Sequence, residues 1–188
     1  MHIRSGHLLL FVLIALLLAA GCTTSQPFTP DQTGALTVTQ PGTAWKDIQL
    51  TDLGGRGNFS ISSFAGRAVI VPVVSISCAS CIPQLNRQVA EAATVSIPGT
   101  STEVVVLDMD PADGPDFLTA YGGRSAFPGW SARAPEDMAM QLFRRFGPFV
   151  IDTTALPVII VCPDGRDLLL PPGPKDAAFL NRSIVQGC

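Results

Sequence analysis

Two cysteines separated by two residues, in Ser77-Cys78-Ala79-Ser80-Cys81-Ile82-Pro83, are the side chains of this sequence best suited to chemistry. The run Ala68 to Ile76 ahead of them is apolar and rich in β-branched residues, as a strand buried on both faces requires. Behind them Ile82, Leu85, Val89 and Ala92 recur at helical spacing, so a helix is expected from Cys78 to about Thr94. A strand thus delivers a dithiol to a helix start. In a first helical turn, residues i and i+3 share a face, within the ~4.4–6.8 Å between Cα atoms that a disulfide spans. Unpaired N–H groups and the partial positive charge at the helix start favour thiolate over thiol, which lowers a Cys pKa from its free value of ~8.5. Cys78, the more exposed of the two, is the expected nucleophile. Cys81, one turn in, is the expected resolving residue, and the pair forms a redox-active disulfide.

Other reactive side chains are few. Both histidines, His2 and His7, lie in the first ten residues. Asp108 and Asp110, in Asp108-Met109-Asp110-Pro111, read as turn residues rather than as a general base. Cys162 ends a predicted strand and reads as buried and inert. Whether it pairs with Cys188, the last residue, is left open by sequence position. A zinc site needs four ligands, and only Cys162 and Cys188 are left to complete one, so no metal is assigned. Arg144 and Arg145 read as partners of a helix C-terminal dipole, and Trp130 reads as core filler.

The chain has 188 residues, enough for one domain and an appendage. Arg4 precedes an unbroken apolar run, Leu8 to Ala20, which is shorter than the ~20 residues a bilayer span needs and reads as an export signal. Ala19-Ala20-Gly21-Cys22 resembles a bacterial lipobox, which implies that Cys22 is lipidated. The expected organisation is a signal over 1–22, a flexible tether over 23–43 rich in Thr, Pro, Gln and Ser, and a folded domain over 44–188. The protein is then exported and anchored by its lipid to the outer face of the cell membrane, where disulfide chemistry is permitted. A net charge of −3 without a basic run argues against a nucleic-acid partner.

Periodicity gives the remaining elements. Trp45 to Leu50 and Phe59 to Ser62 are expected as a hairpin around the turn Leu53 to Asn58. Pro72 lacks an amide donor and predicts an unpaired point in its strand. Glu103 to Leu107 reads as a second buried strand, and Asp116 to Tyr121 as a short helix. The stretch 122–134 reads as irregular. Pro135-Glu136-Asp137 opens a helix that Gly147 ends, with Met138, Leu142, Phe143 and Phe146 as its buried stripe. Val158 to Cys162 and Asp167 to Leu170 make a second hairpin, and Asp176 to Gln186 a last helix.

This order, with Cys78-Ala79-Ser80-Cys81 and Pro157 after Leu156, resembles the thioredoxin superfamily, and the extra N-terminal hairpin and lipobox resemble its exported TlpA-like and redoxin branch. The resemblance covers about Trp45 to Gln186. It implies a thioredoxin-like three-layer α/β sandwich: a central mixed sheet, helices on both faces and an added N-terminal β-hairpin. It also implies a cis Leu156–Pro157 bond, with Leu156 and Pro157 offering main-chain hydrogen bonds to a bound polypeptide. The activity implied is exchange of disulfides with envelope proteins by a monomer without a cofactor. Leu107 to Pro111 and Ile151 to Thr154 are similar to the Sco copper chaperones, but Thr153 or Thr154 stands where those carry a histidine. A Cu(I)-binding chaperone is therefore one alternative, since two thiolates suit a soft ion. A redoxin-type thiol peroxidase is the other, from the likeness of Ser75-x-x-Cys78 to a peroxiredoxin motif.

Overall fold

A computed structural model describes residues 44–75, 82–114 and 129–188, which lie within one compact unit spanning 41–188. Its frame is a five-stranded sheet built from β3 (Ala68–Val74), β4 (Thr102–Asp108), β5 (Trp130–Arg133), β6 (Val158–Val161) and β7 (Asp167–Leu169). The order is β5-β4-β3-β6-β7. The β3–β4 and β4–β5 pairs are parallel, and β6 and β7 run antiparallel to their neighbours. The seven residues of β3 are all buried, as a central strand covered on both faces must be. Pro72 has the predicted effect: the β3–β4 pairing omits Val71 and Pro72 and resumes at Val73 opposite Leu107, because proline has no N–H to give.

Strand alternation divides the core into two faces. Val69, Val71, Val73, Val105 and Leu107 pack with Met138 and Leu142 of α2 (Glu136–Phe146) and with Trp45, Leu50, Phe59, Ile61 and Phe64. Ala68, Ile70 and Val104 point the other way, towards Ala92 of α1 (Ile82–Ala93) and towards Leu180 and Ile184 of α3 (Ala177–Gly187). Val74 and Val106 meet Leu85 and Val89 of α1 on that second face. The expected three-layer sandwich with helices on both faces is therefore present.

The added hairpin is present but shorter than expected. Trp45–Asp47 is a 3-10 turn, and only β1 (Leu50–Thr51) and β2 (Asn58–Phe59) pair, antiparallel. Ile61–Phe64 turns instead of continuing the strand, and the Ser60 N–H donates to Ser63 Oγ at its start. The stretch read as irregular contains β5, a four-residue strand with only Ala132 fully buried, too weak a pattern to read from periodicity. Trp130 does fill space: it packs against Phe59 and Phe64, and the Arg56 guanidinium lies 4.1 Å over its ring. On α2 the stripe is narrower than expected, with Met138 and Leu142 buried but Phe143 exposed. Arg145 does more than face a helix dipole, since it pairs with Asp167, which also accepts from Trp45 Nε1 at 3.1 Å. No described helix is long and apolar enough to cross a membrane. The expected helix over Asp116 to Tyr121, the signal, Cys22 and the tether lie outside the described residues.

Candidate functional site

The elements that flank the dithiol are in place. β3 ends at Val74, Ser75 follows it buried, and α1 begins at Ile82. Cys78 and Cys81 lie outside the described residues, between that strand end and that helix start. Leu85, Val89 and Ala92 fix α1 to the sheet, so the helix behind the dithiol is held by packing as well as by propensity. Ser75 Oγ donates to Asp110 Oδ2 at 2.9 Å, which ties the end of β3 to the loop after β4.

Asp108 is not a turn residue. It is the last residue of β4, paired in register with Val74 on one side and Arg133 on the other, and is 2% exposed. Alternation puts it with Val106, on the face that α1 covers. Burial pushes its carboxyl up to about 7, and the neighbouring Asp113 pushes the same way. The Asp110 N–H, 3.1 Å from Oδ1, and the Arg133 guanidinium, 3.5 Å from Oδ2, oppose this and lose. Desolvation of a carboxylate outweighs one weak ion pair here. Asp110 does behave as a turn residue, with its Oδ1 accepting from the Ala112 N–H.

Leu156 and Pro157 overturn two expectations. The peptide between them is trans, since no cis bond occurs among the described residues. Trans is the intrinsic preference of an X–Pro bond, and the chain reverses by another route: Leu156 takes a left-handed conformation, φ 51 and ψ 56. Nor do the two residues present hydrogen-bonding groups to a partner, because both are buried. The Leu156 side chain packs among Val74, Leu85, Val89 and Val106, and its N–H donates to Thr153 O. Its carbonyl accepts from Gln88 Nε2 at 3.3 Å and from Lys175 Nζ at 2.7 Å. Pro157 O accepts from the Val73 N–H at 2.9 Å. Every main-chain group that was expected to face outward is used within the fold.

Sequence reading did not single out Gln88 or Lys175. Lys175 sits in a Pro/Gly-rich link, where nothing in the pattern signals burial, yet it is only 4% exposed, and burial lowers its pKa to about 8. A cleft of about 510 Å³ opens at the same end of the sheet, with Ser75, Met109, Asp110, Phe143, Ile151 and Thr153 in its lining. Among the described residues no cluster of His, Cys, Asp or Glu is arranged to hold a metal ion.

The two cysteines near the C-terminus are bonded to each other. Cys162 and Cys188 form a disulfide with Cα atoms 5.3 Å apart. Because β6 is antiparallel to β3, with Val69 opposite Val161, Cys162 lies at the end of the sheet away from Ser75. Seven strand residues, roughly 23 Å at ~3.3 Å each, separate that bridge from the end of β3 that leads to the dithiol.

No family model and no curated protein matches the sequence. Solved structures do match. The exposed lipoprotein thioredoxin of Streptococcus pneumoniae is 15% identical over 74% of this chain and 98% of its own, with a TM-score of 0.55. A thioredoxin-family thiol:disulfide interchange protein of Chlorobium tepidum is 16% identical over 74% of this chain and 91% of its own, also at 0.55. A secreted disulfide oxidoreductase of Mycobacterium tuberculosis is 11% identical over 76% and 97%, at 0.54. These likenesses establish that the chain has the thioredoxin-like fold.

Proposed function

We propose that this protein is a thiol–disulfide oxidoreductase of the cell envelope, anchored by a lipid on Cys22 and facing outward, with Cys78 as nucleophile and Cys81 as resolving cysteine. The observation that carries the reading is the junction itself. In this thioredoxin-like fold, Cys78 and Cys81 fall in sequence between the end of the central strand β3 and the start of α1. The names of the similar structures support the chemistry, and two of them are described as an exposed lipoprotein and as a secreted protein.

In the proposed step the Cys78 thiolate attacks one sulfur of a partner disulfide. A Cys78–partner bond forms, and the second partner sulfur leaves as a thiolate. The Cys81 thiolate then attacks Cys78 Sγ, closes Cys78–Cys81 and expels the first partner sulfur. Two electrons pass to the partner, and its two sulfurs take up the two protons that the dithiol gave up. Asp108, buried on the α1 face of the sheet and poised near neutrality, is suited to take the Cys81 proton. The sulfurs supply the chemistry without a cofactor, and the partners are envelope proteins with exposed cysteines.

The test is a redox titration of the chain from Thr23 onward in glutathione buffers of graded potential, with free thiols trapped and located by mass. The expected result is a reversible transition of the two thiols Cys78 and Cys81 between roughly −120 and −270 mV, abolished in Cys78→Ser, with Cys162–Cys188 still oxidised throughout. A Cys78–Cys81 bridge resisting reduction below about −300 mV, or a pair that never oxidises, would refute the proposal.

A further inference from the structure

The Cys162–Cys188 bridge joins two sulfurs in opposite settings. Cys162 follows β6, is 2% exposed and packs in the second core face with Ile70, Val158 and Leu180. Cys188 follows α3 and is exposed. Exchange at a disulfide needs a thiolate to reach the sulfur that it attacks. The core shields Cys162, so an incoming thiol meets the bridge at Cys188.

The second observation is what holds Cys188 in place besides the bridge. Arg166 sits in the tight turn between β6 and β7. Its carbonyl accepts from the Cys162 N–H at 2.7 Å, which fixes its backbone to that of Cys162. Its guanidinium reaches the other way: Nη1 donates to Gly187 O at 3.3 Å, and Nη2 donates to Cys188 O. Asp164 aims this fork. Its Oδ2 accepts from Arg166 Nε at 2.7 Å and its Oδ1 from the Arg166 N–H at 3.0 Å. Gly165 between them, at φ 85, supplies the left-handed residue of the turn. On the helix side, the Cys188 N–H donates to the carbonyl of Ile184, which is buried. One side chain thus links the backbones that carry the two sulfurs without using either sulfur.

We propose that Cys188 is the sulfur at which small thiols and disulfides exchange with this bridge, and that Arg166 is the positioning residue that returns Cys188 to Cys162. A small thiolate that attacks Cys188 Sγ forms a mixed disulfide there and releases Cys162 as a thiolate. Cys162, held beside it, attacks Cys188 Sγ in turn, re-forms the bridge and expels the small thiolate, with no net transfer of electrons. The same closing step completes oxidation. When both cysteines are reduced, the Cys188 thiolate attacks a small disulfide and expels one of its sulfurs as a thiolate. Cys162 then closes on Cys188 and expels the other, so two electrons pass from the pair to the small disulfide. A guanidinium fork on two carbonyls of the helix end raises the effective concentration of one sulfur at the other.

The experiment uses the full chain, solubilised in detergent, with Cys78→Ser and Cys81→Ser, so that its outcome is independent of the function proposed above. The bridge is reduced, glutathione disulfide is added at neutral pH, and acid-quenched samples are read by peptide mass. The glutathione adduct is expected on Cys188 and not on Cys162, and it converts to the closed bridge. Arg166→Met is expected to slow that conversion about fivefold, and Asp164→Asn about twofold. The Arg166 and Asp164 side chains are 59% and 51% exposed, so neither substitution opens the core, and circular dichroism of the reduced variants checks the fold. A purely structural arginine gives a lower unfolding midpoint in Arg166→Met with the closing rate of wild type. That result in the folded variant, or an adduct that forms first on Cys162, would overturn the proposal.

Discussion

At the scale of single residues, Asp108 shows how burial converts a common side chain into a titrating group near neutral pH. Its carboxyl sits at about 7 in the folded protein against an ordinary 3.8. Between those values the folded chain holds a proton that the unfolded chain has released, so folded stability falls as pH rises through that window. Asp108→Asn removes this dependence. The Tm of the variant minus that of wild type is expected to become more positive by about 3–8 °C between pH 4.5 and 7.5, measured by thermal denaturation. If Asp108 also takes the Cys81 proton, the same variant slows the reduction of insulin disulfides at pH 7 by about 100-fold. A stability change without a rate change would leave Asp108 as a buried acid only.

At the scale of elements, the short hairpin is held by one carboxylate rather than by its ladder. Two residue pairs join β1 to β2, too few to hold a hairpin alone. Asp52, 3% exposed, accepts from the Arg56 N–H and Nε at 3.0 Å each and from the Ser131 N–H at 3.1 Å. Burial pushes the Asp52 carboxyl up, but these donors outweigh it and hold it below its ordinary value. Their support is therefore present at neutral pH and lost as pH falls through that lowered pKa. Asp52→Ala strands the half-buried Ser131 N–H and frees the Arg56 that covers Trp130. It is expected to cost about 2–3 kcal/mol in urea unfolding, with faster amide exchange confined to β1, β2 and β5.

At the scale of the whole molecule, the two ends of the sheet have separate tasks. The end beyond Ser75 carries the proposed exchange chemistry. The other end carries Cys162–Cys188, which spans 26 residues and closes α3 onto β6. A loop of that length is worth about 3 kcal/mol. Cys188→Ser is therefore expected to lower stability by about that much while insulin reduction continues at 25 °C, because the bridge lies at the end of the sheet away from Ser75. Loss of activity in the folded variant would show that the two ends are coupled.

The sequence by itself determined the layers. Strand and helix periodicities, Pro135, Gly147 and the unbroken apolar run at β3 specify local geometry through the backbone, and periodicity survives without knowledge of neighbours. It also determined where the dithiol enters the chain, between β3 and α1. Tertiary structure decided what depends on distant neighbours. Periodicity could not show β5, whose four residues become a strand through pairing with β4. It could not show that Asp108 is desolvated, that Cys162 meets Cys188, or that Lys175 crosses to Leu156. Nor could it foresee a trans bond before Pro157, where Leu156 turns inward because its side chain fills space under α1 and two buried donors claim its carbonyl. Burial and pairing between residues far apart in the chain set each of these, and a linear pattern carries no such term.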